Sequence, residues 1–246
     1  MKAVILGGTS GMGRSLVQRL SERGDRVFLL GRDADQLERS AADAQARHPG
    51  SLPARHAACD LEHPEQFAAA LDAADAALEG FDTVIVSAGS FATQERLEDD
   101  IELTRQLVTV NYAHTLVFCE HARKRLLARG GGTLVVFTSV AGDRGRKPVA
   151  IYGSSKAGLS AYLEALDHKF QPQGLTVVNV KPGFVKTSMT AGLKPPPFAG
   201  EPDAVARDVL RAIEEKRPVV YSPGIWALVM LVIRWLPRFV MRRIGF

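Results

Sequence analysis

The sequence has 246 residues, of which 46% are hydrophobic and 24% are charged. This length and composition suit one large α/β domain with a substantial core, and they exclude a disordered chain. The formal net charge is +4, and the segment 225–246 contains four arginines and no acidic residue, so the rest of the chain is formally neutral. The net charge therefore gives no support for a nucleic-acid-binding face on the body of the protein.

The two cysteines, Cys59 and Cys119, lie far apart in apolar or helical contexts. They form neither a metal-type spacing nor a disulfide framework, which favours a reducing, cytoplasmic compartment. The opening run MKAVILGG is too short for a signal peptide and lacks a cleavage site. It is predicted to be a buried strand that ends in glycines.

Short apolar runs alternate with longer amphipathic segments along the chain. The strand candidates are AVILGG, RVFLLGR, RHAACDL, FDTVIVSAG, GTLVVFTSV and LTVVNVKPG, with PVVYSP as a further edge strand. They are rich in β-branched residues and lack polar alternation, which is typical of strands buried on both faces. The longest helical region between them runs from roughly Thr93 to Arg129. This alternation predicts a parallel, doubly wound sheet, in which ligands bind at the carboxyl ends of the strands.

The first predicted strand ends in the glycine-rich stretch LGGTSGMGRS. Gly7, Gly11 and Gly13 permit a tight turn and the close approach of a diphosphate, and the N-terminus of the following helix supplies oriented N–H groups. An ordinary glycine-rich turn is the alternative. The position between a first strand and an amphipathic helix favours a dinucleotide site.

The second predicted strand ends in FLLGRD, where the sequence bears on the choice of nucleotide. An enzyme that uses NAD usually has an acid here, bonded to the ribose 2′-hydroxyl, and that position falls on Gly31. Arg32 follows at once and suits a 2′-phosphate, and Arg14 could assist. NADP(H) is therefore favoured over NAD(H). Asp33 as the ribose acid, or Arg32 as a solvated loop residue, are the alternatives.

Tyr152 and Lys156 stand four residues apart in AIYGSSKAGLS, so on a helix they share one face. A nearby ammonium makes a phenol proton easier to move. Ser139 lies thirteen residues earlier at the end of a strand, and Asn111 lies in the long helical region. Taken singly, Ser139 could be a strand-end cap and Asn111 a buried polar residue. Together with the tyrosine and lysine, they indicate a catalytic set.

At this point the sequence resembles the short-chain dehydrogenase/reductase family over about nine-tenths of its length. The matching pieces, in order, are GGTSGMG, CDL, SAG, VNYAH, TSVAG, YGSSK and KPGFVKT. The resemblance implies a single-domain, Rossmann-type, mainly parallel seven-stranded sheet flanked by helices. It also implies an enzyme that interconverts carbonyl and alcohol groups with a nicotinamide cofactor, and a homo-oligomer, either a dimer or a tetramer.

The resemblance implies a role for each member of the catalytic set. Tyr152 would be the general acid for the carbonyl oxygen, and Lys156 would favour ionisation of the phenol and bond the nicotinamide ribose. Ser139 would hold the carbonyl oxygen. Asn111 would bind a water that relays protons to Lys156. This chemistry needs neither a metal nor a covalent protein intermediate.

The resemblance also implies a cofactor site spread over several strand ends. Asp60 would contact the adenine, and the residues after the sixth strand would line the nicotinamide end. The family's usual Asn-Asn-Ala-Gly is Val86-Ser87-Ala88-Gly89 here, and Leu6 stands where threonine is usual. The cofactor-binding residues are expected to be Gly7, Thr9, Ser10, Gly11, Met12, Gly13, Arg32, Asp60, Leu61, Ala88, Gly89, Tyr152, Lys156, Pro182, Gly183, Val185 and Thr187.

The region beyond Thr187 contains a proline run and falls where the family keeps a substrate-covering loop, here about 188–202. Phe184, Met189, Leu193 and Phe198 could form apolar walls for a bulky substrate. An ordinary surface loop is the alternative. The catalytic domain is expected to span 1–224.

The tail 225–246 is basic and apolar. Its uninterrupted apolar run is far shorter than the ~20 residues that span a bilayer. Arg234, Arg238 and Arg242 recur every four residues and would form one stripe on a helix that Pro237 kinks. Such a helix suits peripheral contact with an anionic membrane at the inner face. The alternatives are an arm that covers the substrate site and a subunit interface.

The tail, with VAGDRGR and KPGFVKTSMT, resembles a bacterial subgroup similar to decaprenylphosphoryl-2-keto-pentose reductases. The leading hypothesis is an NADPH-dependent reductase of a hydrophobic or lipid-linked ketone. The alternatives are a soluble reductase or alcohol dehydrogenase for steroid-like, acyl-chain or small substrates, and a cofactor-sensing binding protein without turnover.

Overall fold

Seven parallel strands form the central sheet in the computed structural model, which describes residues 1–48 and 54–245. Their order is β3-β2-β1-β4-β5-β6-β7, and every neighbouring pair is parallel. The predicted Rossmann-type doubly wound sheet is confirmed, including PVVYSP as an edge strand. The strands are β1 Lys2–Leu6, β2 Arg26–Gly31, β3 Arg55–Ala58, β4 Thr83–Val86, β5 Gly132–Phe137, β6 Leu175–Pro182 and β7 Val219–Ser222.

The sheet is buried on both faces, as its β-branched strands predict. Along β1, Val4 and Leu6 join the core on one face, while Ala3 and Ile5 join the core on the other. Helices α3, α6 and α7 cover the first face, and α1, α2 and α8 cover the second. The result is a three-layer α/β/α domain, because each strand has an apolar surface on both sides to cover.

Ten α-helices occur in the described residues. The predicted helical region from roughly Thr93 to Arg129 is made of several consecutive helical elements. It breaks at Asp100, whose carboxylate caps α5 by accepting from the Leu103 N–H at 2.9 Å. The helices are α1 Gly11–Glu22, α2 Ala34–Arg47, α3 Phe67–Leu78, α4 Gln94–Asp99, α5 Ile101–Val108, α6 Thr115–Ala128, α7 Ala150–Phe170, α8 Pro202–Glu214, α9 Ile225–Trp235 and α10 Arg238–Arg243.

Between α5 and α6 the helix widens into a π-helical turn, Thr109–His114. The Thr115 hydroxyl donates to the Val110 carbonyl at 2.7 Å, and His114 Nδ1 donates to the Leu61 carbonyl at 2.6 Å. The second bond ties this turn to the segment after β3. Wide turns of this kind often mark functional sites, and this one contains the predicted catalytic residue Asn111.

The described part of the tail, 225–245, forms two helices and is called the C-terminal arm from here on; Phe246 lies outside the described residues. Leu236 and Pro237 are extended, so α9 and α10 are separate helices. The predicted single stripe of Arg234, Arg238 and Arg242 is therefore wrong, because Pro237 interrupts the helix rather than kinking it. None of the described helices is both long and apolar enough to cross a bilayer.

Candidate active site

A groove of about 350 Å³ opens at the carboxyl edge of the sheet, where the strand order reverses between β1 and β4. This is the position at which doubly wound sheets bind their ligands. The segments that follow β1, β2, β3 and β4 supply most of its walls. The predicted cofactor residues that line it are Gly7, Thr9, Ser10, Gly11, Met12, Gly13, Arg32, Asp60, Leu61, Ala88, Gly89 and Thr187.

The glycine turn after β1 is shaped by lack of space. Gly7 has φ +92°, and a Cβ there would lie 2.5 Å from the Ala88 nitrogen. A Cβ on Gly13 would lie 2.1 Å from the Gly7 carbonyl oxygen. The Ser10 side chain makes no capping bond, and the first turn of α1 holds no acid. The amides at this helix N-terminus are therefore not engaged by a side-chain cap, and the cradle fits the diphosphate of a dinucleotide.

Ser87 braces this turn from β4. Its hydroxyl lies within 3.0 Å of the Gly7 carbonyl oxygen and 3.2 Å of the Leu6 carbonyl oxygen, to which it donates. Ser87 is among the residues that depart from the family's usual pattern. The bond keeps the glycine turn close to the end of β4.

The two candidate nucleotide-recognition residues after β2, Arg32 and Asp33, have different surroundings. Both Asp33 carboxylate oxygens are engaged by Gln36, one by its backbone N–H at 3.0 Å and the other by its side-chain amide at 2.8 Å. These bonds cap α2 and hold the pKa of Asp33 below its ordinary value. Arg32 lines the groove with an exposed side chain. Arg14, expected to assist, does not line it and lies 4.0 Å from Asp43 instead.

The four predicted catalytic residues come from three elements at the same edge of the sheet. Ser139 follows β5, Tyr152 and Lys156 lie on α7, and Asn111 lies in the π-helical turn. The Ser139 hydroxyl lies close enough to the Tyr152 phenol to lower the pKa of that phenol. Lys156 is buried and its Nζ donates to the Phe137 carbonyl oxygen at 3.1 Å. The fold therefore brings these residues, which come from distant segments of the sequence, to one edge of the sheet.

Burial controls the charge of the tyrosine and the lysine. It raises the pKa of the Tyr152 phenol to about 12, against a smaller lowering by the nearby Ser139 hydroxyl. It lowers the pKa of the Lys156 ammonium to about 8. A neighbouring ammonium is expected to lower the pKa of the phenol, whereas the pKa of Tyr152 is raised. Lys156 Nζ has little effect because it lies 5.9 Å from the centre of the Tyr152 ring and bonds to the Phe137 carbonyl. The phenol therefore holds its proton at neutral pH.

Asn111 and Gly89 connect this group to the groove. The Asn111 side chain is fully buried, accepts from the Ser90 N–H at 2.7 Å and donates to the Ser90 carbonyl at 2.7 Å. A Cβ on Gly89 would lie 3.1 Å from Asn111 Oδ1 and 3.4 Å from Lys156 Nζ. The segment after β4 is thus fixed against both side chains. No sequence motif predicts the contacts with Ser90, because they use the main chain of Ser90 rather than its side chain.

The expected nicotinamide-end residues are only partly brought to the groove. Thr187 lines it, whereas Pro182, Gly183 and Val185 do not. A Cβ on Gly183 would lie 2.0 Å from Trp226 Nε1, so the start of the C-terminal arm packs directly on this segment. Nothing in the local sequence predicted this contact, since it joins residues far apart in the chain.

The four expected substrate residues divide between two places. Met189 lines the main groove, whereas Phe184 and Leu193 line a neighbouring groove. Phe198 is half exposed, and its carbonyl accepts from Trp226 Nε1 at 3.3 Å. The sequence therefore located a loop beside the site, but these side chains do not form a single wall in this structure.

The chain is similar to known proteins over most of its length. The family model described as short chain dehydrogenase matches residues 1–197. An uncharacterised oxidoreductase of Mycobacterium tuberculosis is 35% identical over 243 residues, covering 98% of this chain and 95% of that protein. Carbonyl reductase family member 4 of Xenopus tropicalis is 28% identical over 218 residues, covering 85% and 89%. A solved actinorhodin polyketide ketoreductase with NADPH gives a TM-score of 0.79 at 24% identity, covering 89% of this chain and 94% of its own.

These matches, together with the sheet and the groove, define the class. The chain belongs to the short-chain dehydrogenase family. It is an oxidoreductase of this family, and its fold is one that binds a nicotinamide cofactor.

We expect Gly13→Ala to weaken binding of the nicotinamide cofactor. The added Cβ would collide with the Gly7 carbonyl and with Ser87 Oγ at 2.4 Å, so the start of α1 must move away from the cradle. Overpacking of this kind costs about 1–3 kcal/mol; taken from cofactor binding, this corresponds to a loss of affinity of about 5- to 150-fold. Titration of cofactor fluorescence measures it. Gly224→Ala is the matched control, because a Cβ there meets nothing within 4 Å; equal affinities for the two variants would contradict this account.

Proposed function

We propose that the chain is an NADPH-dependent reductase that delivers a hydride to the carbonyl of a hydrophobic or lipid-linked ketone. The observation that carries the proposal is the meeting of Ser139, Tyr152 and Lys156 beside a groove with a diphosphate cradle. A protonated phenol, a hydroxyl beside it and a buried cation are the groups that a carbonyl needs when it accepts a hydride and a proton.

Each residue has a separate part in this chemistry. The nicotinamide, when bound, supplies the hydride. Tyr152 holds a proton at neutral pH and donates it to the carbonyl oxygen. Ser139 orients that oxygen through its hydroxyl, and the Lys156 ammonium stabilises the phenolate that remains. Asn111 keeps one lone pair on Oδ1 and one N–H on its amide beyond its two bonds to Ser90, which suits a bound water in a proton relay.

The preference for NADP(H) rests on the contrast between Arg32 and Asp33. The Asp33 carboxylate is engaged in capping α2, which leaves it poorly suited to a ribose hydroxyl. Arg32 lines the groove and offers a planar guanidinium to a 2′-phosphate. The similar ketoreductase was solved with NADPH, which agrees with this preference.

The proposal of a lipid-linked substrate rests on the outer face of the C-terminal arm. Its inner face packs against the body through Trp226, Met230 and Ile233. The outer face carries exposed apolar side chains beside exposed arginines, and it begins where Trp226 covers Gly183. The exposed apolar residues of the arm are Ile225, Leu228, Leu231, Val232, Trp235 and Phe239.

Apolar and basic residues on one face suit the surface of an anionic membrane. We therefore propose peripheral contact at the inner face of the membrane. Polyprenyl-phospho-2-keto-pentoses are the first ketones to try as substrates. A second copy of the chain is the competing occupant of this face, since members of the family form dimers and tetramers.

We expect Tyr152→Phe to abolish ketone reduction while cofactor binding stays nearly unchanged, because the ring remains and only the proton donor is lost. The decrease in NADPH absorbance with a dispersed ketone measures turnover. Tyr162→Phe is the matched control, since Tyr162 lies on the same helix and its partly buried hydroxyl donates to Glu120 instead. Retained turnover in Tyr152→Phe would refute its role as the acid.

We expect Arg32→Asp to weaken NADPH binding by about tenfold or more, because a carboxylate replaces the partner of the 2′-phosphate. NADH binding should change little. Dissociation constants for both cofactors, measured by fluorescence, test this. Arg207→Asp on α8 is the control, since this exposed arginine lies outside the groove. Equal losses of affinity for NADH and NADPH would contradict the assignment of Arg32 to the 2′-phosphate.

We expect the full-length protein to sediment with phosphatidylglycerol vesicles and to be released by salt, because apolar and basic residues act together. The double variant Leu231→Ser, Trp235→Ser should sediment less, since these side chains are 54% and 82% exposed. Ile101→Ser, Val108→Ser on α5 is the matched control, with exposed fractions of 75% and 36%. Equal sedimentation of all three proteins would contradict membrane contact.

Size-exclusion chromatography without vesicles tests the competing occupant. A change from dimer to monomer in the Leu231→Ser, Trp235→Ser variant would assign the outer face to a subunit interface.

A further inference from the structure

The turn that contains Ser139 has little freedom to move. Ser139 Oγ accepts from the Ala141 N–H at 3.1 Å, at the start of the short 3-10 turn Val140–Asp143. A Cβ on Gly142 would lie 2.8 Å from the Ala157 nitrogen, and one on Gly153 would lie 2.7 Å from the Ala141 carbonyl oxygen. The backbones of this turn and of α7 are therefore in contact. A shift of the turn changes the distance between Ser139 and Tyr152.

Asp143 ends this turn and holds it to the sheet. One carboxylate oxygen accepts from Lys181 Nζ at 2.6 Å, and the other accepts from the Tyr221 hydroxyl at 2.7 Å. The Asp143 side chain is only 4% exposed. Lys181 belongs to β6 and Tyr221 to β7, so one buried carboxylate joins the turn to the last two strands. Arg146 is near enough for its charge to interact with this carboxylate, and its buried Nε has no hydrogen-bond partner among the described residues.

The C-terminal arm closes the same cluster from outside. Arg234 on α9 lies close enough to Tyr221, the direct partner of Asp143, to lower the pKa of its phenol. Arg144 donates to the Leu236 carbonyl at 2.9 Å, and Lys147 donates to the Arg242 carbonyl at 2.7 Å. These contacts join the segment 144–147, which follows the turn, to the end of α9 and to α10.

Apolar packing reinforces the polar contacts. Val140, the residue after Ser139, is buried in one cluster with Met230 and Ile233 of α9, and Tyr221 packs against it. Val140 therefore packs against the inner face of the arm. The turn has apolar contacts and polar contacts with the same segment of the chain.

We propose that Asp143 is a positioning residue that fixes Ser139 through its bonds to Lys181 and Tyr221, and that the C-terminal arm is part of the active site because it completes this cluster. The proposal rests on the reductase function proposed above. Asp143 does not line the groove, so it acts only through the turn. Removing its charge leaves the mostly buried Lys181 without its anion, and the contact of the turn with the sheet is weakened.

Asp143→Asn in the full-length enzyme tests the proposal kinetically. A misplaced Ser139 should lower kcat by about 10- to 100-fold, with the dissociation constant for NADPH unchanged within about twofold. In the Ser139→Ala background, Asp143→Asn should cost almost nothing more, since the residue that it positions is already gone. Losses that multiply in the double variant would overturn the proposal, because a general structural defect adds to any other.

Two further variants keep the test decisive. Tyr221→Phe removes one bond and leaves the Asp143–Lys181 pair, so it should give a smaller loss of kcat that is also absent in the Ser139→Ala background. If Asp143→Asn fails to fold, Tyr221→Phe replaces it in the same comparison of single and double variants with Ser139→Ala. Asp75→Asn is the control, because Asp75 pairs with Arg129 at the opposite edge of the sheet and should leave kcat unchanged.

Amide hydrogen exchange separates this proposal from the proposed function. Asp143→Asn should speed exchange in peptides covering 140–147 and 225–236 together, while Asp75→Asn should leave both slow. Faster exchange in the turn alone would overturn the part assigned to the arm. Turnover retained in Tyr152→Phe would defeat the proposed function, and the exchange experiment would still decide whether Asp143 couples the turn and the arm.

Discussion

The close packing of α7 against the segment that follows β5 is the constraint on which the candidate active site depends. Gly142 and Gly153 allow the two backbones to touch, so Tyr152 meets Ser139 and Lys156 reaches the Phe137 carbonyl. The same packing buries both titrating groups, which keeps the phenol protonated and makes the ammonium easier to deprotonate. Geometry and protonation therefore have one physical cause.

The features predicted from the sequence are those set by local patterns. Unbroken β-branched runs fix strands buried on both faces, and the glycines after β1 allow a close turn, so the sheet and the cradle follow from spacing alone. The break at Asp100 depends on one capping carboxylate inside an otherwise helical pattern. The ion pair of Arg14 with Asp43 and the contact of Trp226 with Gly183 join distant residues, and no period in the sequence encodes them.

The C-terminal arm shows why a pattern can be right in composition and wrong in shape. Its arginines and apolar residues were predicted to share one helix, but the extended Leu236 and Pro237 divide them between two. The inner face then packs on Val140, beside Ser139, and the outer face stays exposed. An arm with two apolar faces leaves one face available while the other packs on the turn that contains Ser139.

The pH dependence of kcat/KM for ketone reduction tests the central claim most directly, namely that a protonated Tyr152 acts beside a buried, charged Lys156. The account predicts a constant rate at lower pH and a fall as pH rises through about 8, where the Lys156 ammonium loses its proton while Tyr152, with a pKa of about 12, keeps its own. Lys156→Arg should move the fall to higher pH in the activity that remains, because a guanidinium stays charged. A fall near pH 8 that persists in Lys156→Arg would contradict the account.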